Sequence, residues 1–73
     1  MKLSDASAER AVLSGIYNYG EDAYYDVADL LQESSFTIDS NIVLYKCFKH
    51  IFDRNPNTKL DIATIFSAAE ELH

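Results

Sequence analysis

The stretch Asp39-Ser40-Asn41-Ile42-Val43-Leu44-Tyr45-Lys46-Cys47-Phe48-Lys49-His50-Ile51-Phe52-Asp53-Arg54 decides the fold. At about 100° per residue, Asn41, Leu44, Tyr45, Phe48, Ile51 and Phe52 fall on one face. This is the strongest helical periodicity in the chain. Lys46, Lys49, His50 and Asp53 fall on the opposite face. Asp39 or Ser40 stands where an N-cap belongs. Only 2 glycines and 1 proline punctuate the chain, which favours helices over a many-turned sheet.

The flanking segments read the same way. Asp5 is placed to cap a first helix with Ala8, Val12, Gly15, Ile16 and Tyr19 inward and Leu13 and Tyr17 on its flank. Gly20 ends that helix. Glu21 and Asp22 open a second helix, where the helix dipole favours negative charge. Its expected inner side is Ala23, Tyr24, Val27, Leu30, Leu31 and Ser34, with Tyr25, Asp29 and Gln32 outward. Ser34-Ser35 breaks it, and Phe36 folds back as a plug. After an Asn55-Pro56-Asn57-Thr58 turn, Asp61 caps a fourth helix, and Leu60 can staple onto Ile65. Its expected inner stripe is Ile62, Ile65, Ala69 and Leu72.

The expectation is an all-α fold, a small bundle of four or five helices. At 73 residues it is one domain at most, spanning 1–73. The expected core is Val12, Ile16, Val27, Leu31, Phe36, Leu44, Phe48, Ile51 and Ile65. The helical pattern is still running at Leu72 and His73, which reads as a fragment of a longer protein.

The formal net charge is -6 and the isoelectric point lies near 4.5. Such a surface repels phosphate backbones and anionic lipids, so little direct nucleic-acid binding is expected. No apolar run approaches the ~18 residues of a membrane span, and the N-terminus lacks a signal-peptide stretch. A lone Cys47 excludes an intramolecular disulfide and fits a reducing compartment. A cytoplasmic protein is expected. Lys46, Lys49, Arg54 and Lys59 crowd into one short stretch, a charge asymmetry that favours a protein partner and an oriented dock.

No residue pattern points to catalysis. Cys47, His50 and Asp53 recur along one helix but are too few for a zinc site. Neither G-x-S-x-G nor a phosphate-binding glycine loop is present. No catalytic, cofactor or metal residue is assigned, and Cys47 beside the apolar stripe reads as a buried structural thiol. Tyr19, Tyr24 and Tyr45 fall on inner faces. Tyr17 and Tyr25 point off the core and, with Asp29, Lys46, Lys49 and His50, form the candidate interface, because tyrosine offers a large apolar body with one polar handle. Asp39-Ser40 before a helix also resembles the Asp-Ser-Leu arm site of acyl carrier proteins, with Ser40 as the attachment point. Asn41 replaces the leucine, and Lys46, Lys49 and Arg54 depart from that family's acidic helix. An unrelated helical adaptor is a further alternative.

Across residues 5–72 the order and spacing of the apolar blocks resemble the N-terminal domain of DnaB-type replicative helicases. Ala8-Glu9, Val12-Leu13 and Gly15 match the family's first-helix segment, with Ser14 for a glycine. Val27 and Phe36 fit its second helix and the phenylalanine after it. Leu44-Tyr45 matches the third helix, although Asn41 stands where a histidine is usual. Leu60-Asp61-Ile62-Ala63-Thr64-Ile65 matches its Ile-Asp-x-x-Thr-Leu capping segment. The resemblance implies a non-catalytic collar domain that packs against neighbouring subunits and receives primase or a helicase loader. It also implies a hexameric full-length parent whose separate domain carries ATP and Mg. It places the protein in a bacterial cell or a phage-infected host.

Overall fold

A computed structural model describes residue 3 and residues 5–72. His73 lies outside them, and the helical pattern read through Leu72 ends at Glu71, with Leu72 as the C-cap. Four α-helices and one 3-10 turn make up the regular structure, and no strand occurs among the described residues.

α1 spans Ala6–Tyr19, and the Asp5 carboxylate caps it by accepting from the Ala8 N–H at 2.8 Å. Gly20 then takes a left-handed φ of 75°, which a side chain would strain. Its N–H donates to the Ile16 carbonyl and its own carbonyl accepts from the Tyr24 N–H, so one residue closes α1 and opens α2, Glu21–Ala28. α2 is shorter than the sequence pattern implied. The chain turns at residues 29–30 and tightens into a 3-10 turn at Glu33–Ser35, where the Gln32 N–H donates to Ser35 Oγ at 3.0 Å. α3, Asp39–Arg54, is the longest element, and α4 spans Ile62–Glu71. Asp61 caps α4 by accepting from the Thr64 N–H at 2.7 Å.

The stripe on α3 forms the centre of the core. Tyr45, Phe48, Ile51 and Phe52 are buried with Ile16, Tyr24, Leu31, Phe36, Leu60 and Ala68. Tyr24 stacks on Phe52 with ring centroids 5.0 Å apart, and Phe36 packs on Tyr45 at 4.8 Å. The Tyr45 hydroxyl donates to the Leu31 carbonyl at 3.2 Å, so this ring is buried with its polar end satisfied. Burial raises the Tyr45 hydroxyl and Cys47 thiol pKa values, which keeps both protonated.

Several positions differ from the sequence reading. Val12, Val27, Leu44 and Ile65 are half-buried against the core rather than inside it, and Leu13, read as flanking, is buried. Tyr19 is 79% exposed because α1 ends there and the chain turns away at Gly20. Leu30 and Ser34 are exposed because α2 stops before them. α3 begins at Asp39 with Ile38 as its cap, so neither Asp39 nor Ser40 caps it. Ile62 is 63% exposed and Leu72 45% exposed. α4 buries Ala68 instead, because it crosses α3: Ile65 faces the α1 side, while Glu71 reaches His50 and Arg54.

Candidate protein-docking surface

α1 and the start of α3 are joined by a carboxylate to which the sequence reading gave no structural role beyond the Ala8-Glu9 match. Glu9 is fully buried. Its Oε2 accepts from the Thr37 N–H at 3.0 Å and from the Thr37 hydroxyl. Its Oε1 accepts from the Ile38 N–H at 3.3 Å and the Asn41 amide at 3.1 Å. Glu9 therefore accepts from the backbone that leads into α3 and not from a first-turn N–H of the helix, so it ties α1 to the entry of α3 without serving as its N-cap. The Thr37 hydroxyl bond is the largest cause of a lowered pKa, about 2 against an ordinary 4.5, and it outweighs burial, which acts the other way. The carboxylate is thus charged at neutral pH. Glu9 lies one turn before Leu13, itself buried, and that neighbourhood was the available signal.

At the other end of α3, Glu71 holds α4 in place from the surface. Its carboxylate meets Arg54 and lies 3.1 Å from His50 Nε2. Arg54 first, and His50 second, draw the Glu71 pKa downward. Lys46 pairs with Glu33 at 3.7 Å. The basic stretch read from the sequence is therefore partly neutralised by the chain's own acids. Lys49 makes no ion pair among the described residues and lines a cleft of about 390 Å³ with Tyr24, Leu31, Gln32, Ser34 and Tyr45.

The candidate interface residues do not converge on one spot. Tyr25 and Asp29 are exposed at α2 and its end, with the Tyr25 ring edge-on to Tyr24 at 5.2 Å. Lys46, Lys49 and His50 lie on the far face of α3. Tyr17, 40% exposed, stands on α1 beside a groove of about 340 Å³ lined by Leu13, Leu44, Phe48 and Ile65, with Arg10 and Asn41 among its polar lining. Sequence reasoning missed the companion of this groove, the outer face of α4. Phe66 is 64% exposed and Ile62 nearly as much, on the element that carries Ile65 into the groove. The available signal was that Ile62 to Ala69 contains no charged residue.

Among the described residues no group of His, Cys, Asp and Glu is placed to hold a metal ion, and no helix is long and apolar enough to cross a membrane. The class so defined is a small helical bundle whose conspicuous features are contact surfaces: an apolar groove, exposed aromatics and a divided charge pattern. The family follows from the whole length. The family model of the DnaB-like helicase N-terminal domain matches residues 1–73, and the chain belongs to that family. No curated protein and no solved structure matches it. The chain is thus a replicative-helicase N-terminal domain, and the acyl-carrier reading of Ser40, an exposed first-turn residue of α3, falls away.

Proposed function

We propose that this domain is a docking and assembly element of a replicative helicase, contacting primase or a helicase loader and neighbouring subunits of a ring. In this reading the ATP- and Mg-dependent work belongs to a separate domain of the parent protein, which acts in the cytoplasm of a bacterial or phage-infected cell. The observation that carries it is the groove between α1, α3 and α4 beside the exposed Ile62 and Phe66, because apolar surface of this kind marks contact sites. The family supports the same direction. A net charge of -6 argues against the domain itself holding DNA.

The test is a titration of the isotope-labelled domain with the C-terminal domain of primase from the same source, followed by amide chemical shifts. Saturable shifts confined to a contiguous surface support docking. Absence of shifts with both primase and loader at hundreds of micromolar contradicts it. Single-stranded DNA in the same assay should shift few resonances at physiological salt. Sub-micromolar DNA binding would overturn the exclusion of nucleic acid.

A further inference from the structure

The cleft between α2, the 3-10 turn and α3 lies away from the apolar groove and has a chemistry of its own. Ala28 and Leu31 give it apolar lining, and Tyr24, Tyr45 and Lys49 bring polar ends to it. At about 390 Å³ it falls within the size range of small-molecule sites.

Two of its polar groups have no work inside the fold. Tyr24 is 4% exposed, and its ring is held between Phe52 and Tyr25. Its hydroxyl makes no hydrogen bond among the described residues, where Tyr45 is the tyrosine that does. No buried side-chain polar atom among these residues is both sealed from solvent and unpaired. The small part of Tyr24 that meets solvent therefore includes its hydroxyl, and the cleft is the opening that Tyr24 lines. Burial first, then Tyr45 and Asp53, push the hydroxyl pKa up to about 12, so it stays a donor at neutral pH. The second group is Lys49, which is exposed and makes no ion pair among the described residues. Glu33 lines the same cleft but is already paired with Lys46 at 3.7 Å. Asp53, one turn along α3, lines the adjoining cleft and not this one.

These features select the ligand. A cation would face Lys49, and a neutral group would leave its charge unmatched. A phosphate dianion brings more acceptors than two donors serve and would meet Glu33. A single carboxylate matches a hydroxyl and an ammonium donor. We propose that this cleft binds a carboxylate with a short apolar body, the carboxylate accepting from the Tyr24 hydroxyl and the Lys49 ammonium while the body rests on Ala28 and Leu31. A free small acid and the C-terminus of another chain both carry that chemistry. The site goes beyond the docking reading and does not depend on it.

Titration of the isotope-labelled domain with N-acetylleucine tests it, with circular dichroism melts confirming that each variant is folded. Saturable amide shifts should appear at about millimolar concentration and centre on Tyr24, Ala28, Leu31 and Lys49. N-acetylleucinamide has the same body without the charge and should bind roughly tenfold more weakly. Tyr24→Phe removes only the hydroxyl and should weaken N-acetylleucine by about tenfold. Lys49→Gln should weaken it by about fivefold, and this exposed position keeps the test decisive if Tyr24→Phe does not fold. Lys59→Gln, outside the cleft, should leave it unchanged. Isovalerate separates the two sources: binding as tight as N-acetylleucine points to a free small acid, and weaker binding to a chain terminus. Absence of saturable shifts at tens of millimolar overturns the proposal. So does equal binding of acid and amide, or binding indifferent to both variants. Each of these leaves the docking reading standing, because that reading rests on the α1–α3–α4 groove and a different titrant.

Discussion

The two ends of α3 are each held by one glutamate, and the two glutamates work by different physics. Glu9 is buried, forms no ion pair among the described residues and accepts from neutral donors of Thr37, Ile38 and Asn41. Glu71 is exposed and meets two basic side chains, Arg54 and His50. A buried carboxylate with every lone pair engaged is costly to disturb, because its removal also leaves its donors without their acceptor. An exposed ion pair is screened by water and salt and contributes little. The comparison separates a junction of α1 with α3 that is fixed by buried hydrogen bonds from a junction of α4 with α3 whose polar contacts are exposed and weak, so that apolar packing through Ala68, Ile65 and Ala69 holds it. The helix at this second junction carries the exposed Ile62 and Phe66.

The largest expected effect erases the comparison. Phe48 is fully buried and reaches both the α1 side and Ile65 of α4. Phe48→Ala should cost about 3–5 kcal/mol, as much as a core this small supplies, and leave the domain largely unfolded. A thermal transition within a few degrees of the parent would show that the two junctions do not share this floor.

Glu9→Gln comes next and tests the fixed end. It keeps the shape but sets an amide against donors, so the melting temperature should fall clearly while Glu71→Gln leaves it nearly unchanged. Equal shifts in the two variants would abolish the distinction.

Acid sharpens it further. The Glu9 pKa is depressed in the folded state, from about 4.5 to about 2. The unfolded chain therefore binds the proton more readily, and stability rises with pH across this window. The contribution is complete above about pH 4.5 and is lost as pH falls toward 2. Melts between these limits should decline for the parent and decline less for Glu9→Gln.

A smaller effect belongs to Tyr45→Phe, which removes the bond to the Leu31 carbonyl and should cost about 1 kcal/mol. The smallest belongs to Glu71→Gln, whose effect should vanish in high salt.

Much of this architecture was legible from residues. The α3 stripe, the Asp5 and Asp61 caps and the Gly20 break all follow from local rules, because each depends on neighbours within one turn. The unread part depended on tertiary geometry. Glu9 entered the sequence reading only through the Ala8-Glu9 match, and nothing local beyond the nearby Leu13 points to its burial, which depends on Thr37 and Asn41 some thirty residues away. The outward turn of Ile62 was equally hidden, since the uncharged stretch Ile62 to Ala69 offers more than one apolar face and the packing of α4 on α3 buries Ala68. The basic residues of α3 were found, but their neutralisation by Glu33 and Glu71 required knowing which acids fold back upon them.

Amide hydrogen exchange on dilute chain tests the contrast between the two junctions most directly. Amides of α1 and α3 around Glu9 should exchange only through global unfolding. Those of α4 should open locally and exchange faster, with a lower free energy of opening. Uniform protection across α1, α3 and α4 would contradict the account and make the domain a single cooperative unit.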